Sequence, residues 1–419
     1  MSFVTAQEAV RTCVLSKRWK NLWTTLPFLD FNLQEYEYDG TPKRRFDMFV
    51  NFVSTTLLLR EASDLHKFHL GELYYDVKQY HMSVRSWIQY ALKHNIQEFS
   101  IEFPLQDSSV PLDGVFNCAS LVDVSINDLS RNVFEIHLVT VVNLPCLKQL
   151  YLRGIELLQD FVDNIFSGCP VLEFLHLEDC GMGFSIMYSQ SLKYLKIDGY
   201  ELEYEPEEQM IEAPNLLSFC YDLESFQMGD KLLVKMPSLT SAIIIYDEML
   251  QGILTGLSNV QNLVLGGYGI KDVLENELPN CPEFSNLKDL SVDFSCHHCL
   301  LHHFNLLASF LNHCPHLEKL SLEYCGCLTC FGSSEELPRN EELLKIAPFK
   351  GKQLKIVKVI FSKSDQSFPR LVNLIILAPS PCINLRVAEF RLLLPSGLRF
   401  HVHKENTRKA EDLTDGRRR

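Results

Sequence analysis

The stretch LPCLKQLYLRGIELLQDFVDNIFSGCPVLEFLHLEDCG, residues 144–181, shows the rule by which most of this chain is built. It opens on Leu147, Leu150 and Leu152, an apolar residue, two others, an apolar residue, one other and an apolar residue. The last two share one face of a period-two segment, which predicts a short strand. Leu158, Phe161, Val162 and Ile165 follow at helical spacing. Gly168 stands where a C-cap glycine would end that helix, and Pro170 stops it. Leu172, Leu175 and Leu177 then repeat the opening pattern. FNLLASFLNHCP, residues 304–315, repeats the design of the helical return and its Cys-Pro ending.

Working outward, the same spacing returns as Leu65-Phe68-Leu70, Ile96-Phe99-Ile101, Leu121-Val124-Ile126 and Leu192-Leu195-Ile197. It continues as Leu216-Phe219-Tyr221, Leu239-Ala242-Ile244, Val260-Leu263-Leu265, Leu287-Leu290-Val292 and Leu317-Leu320-Leu322. Weaker copies are Leu354-Val357-Val359 and Leu371-Leu374-Ile376. The middle residues advance through 99, 124, 150, 175, 195, 219, 242, 263 and 290. Steps of this size match the leucine-rich-repeat period. The expected fold is therefore α/β: a curved, right-handed leucine-rich-repeat solenoid. Strand leucines face inward and helical or irregular returns lie outside. One unit cannot bury its apolar side alone, so the stack supplies the core. Unrelated strands of an α/β enzyme would explain the apolar runs but not their spacing.

Composition narrows the function. The 419 residues are 46% hydrophobic and 22% charged, an ordinary globular balance. A net charge of -14 gives no general attraction to phosphate backbones, so nucleic acid is not an expected partner. No run reaches the roughly 18 apolar residues of a membrane span, and the opening residues lack a basic region followed by an apolar stretch. An intracellular soluble protein is expected, with the 14 cysteines reduced. Cys169, Cys180, Cys314 and Cys325 recur at similar places in the repeats and are expected to be architectural.

Ahead of the repeats lies a short helical head. Thr5 and Glu8 have the spacing of a capping box. Ala9 to Leu15 continues as helix, and Ser16 to Trp23 forms a second amphipathic stretch. FLDFN after Pro27 suggests a turn into an extended segment, residues 34–44 an exposed loop, and Phe46 to Arg60 another helix. Residues 7–31, QEAVRTCVLSKRWKNLWTTLPFLDF, closely resemble the second half of the F-box in the large plant family of F-box proteins with leucine-rich repeats. The matching residues are Glu8, Ala9, Val10, Val14, Leu15, Ser16, Lys17, Arg18, Trp19, Leu22, Trp23, Leu26 and Pro27. Residues 144–181 resemble the most recognisable repeat of those proteins. APFKGKQLKIVKVIF, residues 347–361, faintly resembles the start of their C-terminal FBD region.

The resemblance implies a head that docks a Skp1-like adaptor of a cullin-based ubiquitin ligase and repeats that recruit the protein to be ubiquitylated. Catalysis then belongs to other subunits, and no cofactor or metal is implied. Ala9, Val10, Val14, Leu15, Lys17, Arg18, Trp19, Leu22 and Trp23 are the candidate residues, either facing the adaptor or packing the head on the first repeat. A complete family F-box begins with a helix of the type LPDDILxxILSFLP, and this chain starts after it. Adaptor binding is therefore expected to be weakened, and a repeat-only scaffold or decoy is the alternative reading. The domain reading is 1–31 partial F-box, 32–64 linker and capping helix, 65–330 repeats, 331–400 divergent repeats and 401–419 polar basic tail.

The search for chemistry returns little. CHHCLLHH, residues 296–303, holds zinc-type ligands but no second CxxC, and is read as a surface loop. Cys325, Cys327 and Cys330 are read as packing plus a loop. LGGYG, residues 265–269, lacks the lysine and hydroxyl of a phosphate loop and is read as a turn. Glu201, Glu203, Glu205, Glu207 and Glu208 are read as a solvated loop able to attract a basic segment. No catalytic residues are expected.

Overall fold

The fold was analysed in a computed structural model of the chain. It describes residues 5–16, 19, 22–35, 41–61, 64–73, 80–103, 112, 114–129, 134–135, 141–200, 208–224, 231–246, 252–267, 270–294, 300–324, 353–361 and 384–389. The chain divides into two compact units, Met1–Pro206 and Glu207–Arg419.

The first unit opens with α1 (Ala6–Arg11), whose start is the capping box that the sequence predicts. The Glu8 N–H donates to Thr5 Oγ1, and the Thr5 N–H to Glu8 Oε2. Its main sheet begins at β1 (Phe28–Asn32) and continues through β2 (Lys67–Gly71), β3 (Glu98–Phe103) and β4 (Asp123–Asp128). The short β5 (Phe134–Glu135) stands off the ladder and pairs with β7 (Ile155–Glu156). The ladder itself passes to β6 (Gln149–Arg153), β8 (Phe174–Glu178) and, past the short β9 (Ile186–Tyr188), β10 (Tyr194–Tyr200). All its pairs are parallel. Phe68, Phe99, Val124, Leu150, Leu175 and Leu195 form one buried row, and Leu70, Ile101, Ile126, Leu152, Leu177 and Ile197 the next. Each such side chain contributes about 1.5–3 kcal/mol on burial, but only because the neighbouring repeat covers it.

A recurrent backbone device joins the repeats. The carbonyl just before each strand accepts two successive N–H groups from the next repeat. Lys148 and Gln149 donate to Val122, Glu173 and Phe174 to Lys148, and Lys193 and Tyr194 to Glu173. A tight turn precedes the strand, as where the Leu172 N–H donates to the Cys169 carbonyl. These bonds satisfy backbone groups that lie outside the strand pairing.

Helices α2 (Pro42–Leu59), α3 (His81–Lys93) and α4 (Gln159–Gly168) cover the other side. Pro42 stands at the start of α2, where its fixed φ suits the first turn. The helix therefore begins before the expected Phe46. Phe46, Phe49 and Val53 of α2, Trp87 and Ile88 of α3, and Phe161 and Ile165 of α4 are buried.

The second unit has the same construction. A parallel ladder runs through β12 (Ser218–Glu224), β14 (Ser241–Tyr246), β15 (Asn262–Gly266), β16 (Asp289–Phe294), β17 (Lys319–Tyr324), β18 (Ile356–Phe361) and β19 (Asn384–Glu389). The strands β11 (Glu208–Glu212) and β13 (Lys231–Lys235) pair in parallel beside it. Helices α5 (Ile253–Gly256), α6 (Ile270–Glu277) and α7 (Leu300–Leu311) form the returns. The carboxylate of Glu277, at the end of α6, accepts the Ile253 and Leu254 N–H groups and so caps the neighbouring return. In each unit the result is a parallel β/α repeat stack of the leucine-rich-repeat kind.

Several sequence expectations change. The ladder begins one repeat earlier than the copies traced from Leu65. Leu26, Leu29 and Phe31 have the same spacing, and Leu29 and Phe31 are buried in β1. Gly168 is not a left-handed cap. It is the last residue of α4, and Cys169 caps the helix at φ -120. Glycine is required there because a Cβ would stand 2.1 Å from the Val142 carbonyl oxygen. In the region 347–361, residues 356–361 form β18 of the ladder, and β19 lies in a segment that departs from the sequence pattern. Glu208 begins a strand and pairs with Lys231 at 3.0 Å, so it is not part of a loop. His302 and His303 fall in α7, not in a loop, while residues 295–299 lie outside the described residues. So do Cys325, Cys327, Cys330, residues 201–207 and the copy Leu371-Leu374-Ile376. In LGGYG, Gly267 has φ 89, in keeping with the expected turn. No helix among the described residues is long and apolar enough to cross a membrane.

Candidate functional site

The head is held at both ends. At its start, Ala6 and Ala9 are buried and α1 packs on β1. At its exit, the Glu61 N–H donates to the Thr24 carbonyl at 3.0 Å. Arg60, 7% exposed, donates from Nη2 to the Leu26 carbonyl at 3.0 Å and the Asp64 carbonyl at 3.2 Å, and from Nη1 to the Tyr90 hydroxyl. The Pro27 carbonyl then accepts two N–H groups from the next repeat. Residues 24–27 are thereby part of the repeat body.

Between these anchors the chain turns outward. A 3-10 turn, Thr12–Val14, follows α1, and another, Leu22–Thr25, precedes β1. Val14 is 88% exposed, Leu15 72%, Leu22 44% and Trp19 40%. Trp23 and Val10 are half-buried, and Ala9 is buried. Lys17 and Arg18 lie outside the described residues. Of the nine candidates, then, Val14, Leu15, Trp19 and Leu22 present apolar surface to solvent, whereas Ala9 packs the head.

A second constellation lies on the solvent side of the first unit's ladder. Tyr151, His176 and Lys196 hold the same position in β6, β8 and β10, as do Arg153, Glu178 and Asp198. The Tyr151 hydroxyl donates to Glu178, and burial together with that carboxylate pushes the phenol pKa far up. Arg153 bridges Glu178 at 3.4 Å and Asp179 at 2.9 Å. His176 Nε2 lies 2.6 Å from Asp198 Oδ1, and Lys196 holds the other Asp198 oxygen. Burial raises the Asp198 pKa, but these two partners outweigh it and hold the carboxyl below its usual range. His176, Glu178 and Asp198 bring ligand-type atoms within 4.8 Å of one another. Glu178 is already held by Tyr151 and Arg153, and Asp198 by His176 and Lys196, so the arrangement is a braced polar surface. The sequence reading missed it, although the repeat register would have aligned its members.

A family model described as At1g61320/AtMIF1, LRR domain, matches residues 59–387. The chain belongs to this family. The matched range of this LRR family runs from the end of α2 to β19 and leaves the head outside it. The chain is 25% identical over 359 residues to the F-box/FBD/LRR-repeat protein At1g80470 of Arabidopsis thaliana, covering 80% of this chain and 72% of the relative. It is 28% identical over 360 residues to the putative F-box/FBD/LRR-repeat protein At5g44950 of the same plant, at 77% and 76% coverage. It is also 28% identical over 419 residues to the F-box/LRR-repeat protein At3g59200 of that plant, at 87% and 74% coverage. These relatives show that the chain is similar to plant proteins described as F-box proteins with leucine-rich repeats.

Proposed function

We propose that this protein is the substrate-recognition subunit of a Skp1–cullin–F-box type ubiquitin ligase, acting in the nucleus or cytoplasm. The head docks a Skp1-like adaptor, and the repeats hold the protein to be ubiquitylated. The carrying observation is the exposure of Val14, Leu15, Trp19 and Leu22 in the segment that resembles an F-box. Their neighbours at 24–27 are fixed to the ladder, so the apolar surface is presented by a braced support. Covering a large apolar side chain is worth about 1.5–3 kcal/mol if burial is complete, which gives four such residues a substantial share of a specific interface. The chain contributes no bond-making group in this reading. It contributes proximity, since tethering two partners raises their effective concentration.

The test is a pull-down with a purified plant Skp1-like adaptor. The 419-residue chain is run beside a form carrying an added F-box first helix at its N terminus. Adaptor capture by either form, abolished by Leu15→Asp with Leu22→Asp, is the expected result. Both positions are exposed, so a circular-dichroism spectrum unchanged from the parent should accompany the loss. Capture by neither form, or capture indifferent to both substitutions, overturns the proposal.

A further inference from the structure

On the solvent side of the first unit, β3 and β4 carry an acidic strip that Lys67 compensates only in part. Glu98, Ser100 and Glu102 of β3 stand in register with Asp123, Ser125 and Asn127 of β4. The two serines keep the middle of the strip low, with carboxylates at both ends. Glu98 directly faces Asp123, and like charges directly opposite on neighbouring strands repel. Lys67 reaches Glu98 at 3.4 Å from β2, with both side chains about half exposed. No ion pair or side-chain hydrogen bond to Asp123 is present among the described residues. Burial, and then the Glu98 charge, push the Asp123 carboxyl above its usual range. A second observation comes from a neutral group. Asn127 is only 8% exposed, and its Oδ1 has no hydrogen-bond partner among the described residues. Strand alternation puts Asn127 on the same face as Asp123 and Ser125, and an orphaned buried acceptor needs a donor.

We propose that this strip takes basic side chains, arginines foremost, from an extended segment of the protein's target. A guanidinium carries donors for both Glu98 and Asp123, and at the other end for Glu102 and the Asn127 carbonyl oxygen. The two ends are four residues apart along the strands, about 13 Å at strand rise. A segment lying along the strands therefore matches them with basic residues four apart. This gives a target chemistry to the recruiting role proposed above and rests on that reading only for the target's fate.

The probe is a fluorescein-labelled nine-residue peptide of glycine, serine and threonine with arginines at its third and seventh positions. Fluorescence anisotropy is measured against the full chain without adaptor, so failure of adaptor docking leaves the result intact. The arginine peptide should bind more tightly than its glutamate counterpart. Asp123→Asn with Glu98→Gln should weaken it about fivefold or more, for two lost charge-assisted contacts. Asp160→Asn with Asp163→Asn, an equal charge change on exposed positions of α4, should change it less than about twofold. Ser125→Lys, which supplies a cation to the strip from within, should also abolish binding in a chain that still folds. Equal losses in the strip and α4 variants, or equal binding of the two peptides, would overturn the proposal. So would the absence of any binding by the arginine peptide.

Discussion

Gly168 ends α4 against the backbone that leads into β6. An ideal Cβ there would lie 2.1 Å from the Val142 carbonyl oxygen, 2.6 Å from its carbon and 2.9 Å from Val142 Cβ. Two of these three atoms are backbone, so no side-chain rotation relieves the contact. The helix end or the Val142 segment must move by roughly an ångström, and overpacking of this kind costs about 1–3 kcal/mol or more. The shift also strains the bond from the Leu144 N–H to the Gly168 carbonyl, 2.9 Å long and worth about 1 kcal/mol. Alanine's better helix propensity returns about 1 kcal/mol at most. Gly168→Ala should therefore destabilise the protein by about 2–3 kcal/mol. In a unit of this size that corresponds to a Tm lower by about 5–10 °C. Gly256 repeats the device in the second unit, with the Val234 carbonyl oxygen 2.2 Å from a built Cβ, and Gly256→Ala should behave alike. Asparagine separates this explanation from a left-handed cap, because Asn tolerates positive φ. Gly168→Asn should cost at least as much as alanine. Gly252→Asn, at φ 87 and near the flexible end of Leu233, should cost far less. Thermal melts within about 2 °C of the parent for Gly168→Ala, or tolerance of Gly168→Asn, would refute the close-approach argument.

Thiol reactivity should follow burial: Cys169 and Cys180, buried with their pKa values pushed up to about 12, should resist iodoacetamide at pH 8, whereas exposed Cys146 is alkylated. Peptide mass spectrometry of the folded chain reads this directly, and rapid labelling of Cys169 without unfolding would count against the packing described. Asp198 supplies a pH signature. Its folded carboxyl lies below the unfolded value near 3.8, so its stabilisation is present above about pH 4 and is lost as pH falls through the folded value. Asp198→Asn should lower stability at pH 7 by about 1–2 kcal/mol and lose less than the parent between pH 7 and pH 3. Urea midpoints at the two pH values test this, and an identical acid loss in the two proteins would exclude the pairing as its source.

The repeat spacing was legible because one physical rule generates each strand. Leu150 and Leu152, or Leu263 and Leu265, bury the same two positions whatever stands between them. The strip Leu26-Leu29-Phe31 follows the rule too; FLDFN was expected to be extended, but its overlap with the segment resembling an F-box kept it from being counted as a repeat. The strand β19 begins after Cys382 and Ile383, where the leucine that opens other copies is lacking. Gly168 was placed correctly and explained wrongly. Sequence shows that glycine follows a helical pattern, but only packing shows which atom a Cβ would strike. The polar brace was harder still, since His176 and Asp198 are 22 residues apart and meet only through parallel register. For the head, sequence located the apolar residues without showing which side of them meets solvent. The exposure of Leu15 and the burial of Ala9 follow from how α1 lies on β1.

The same packing explains why head and repeats belong to one device. Arg60 joins the head's exit at Leu26 to α3 through Tyr90 and to the entry of β2 through Asp64. A guanidinium with these partners acts as a bolt, because its planar donors fix three segments at once. The apolar head residues are thus carried on β1, while the acidic strip lies two and three strands further along the same ladder. At about 4.8 Å per strand, β1 and the strip are separated by roughly 10–15 Å along the ladder. A flexible linker would let a captured target sample many positions relative to the adaptor and dilute its local concentration. A parallel ladder pinned by Arg60 and by paired carbonyl bonds instead holds the interval constant. Under the proposed function, that constancy is what a recruiting subunit contributes to a transfer performed elsewhere, and it follows from the same repeats that bury the core.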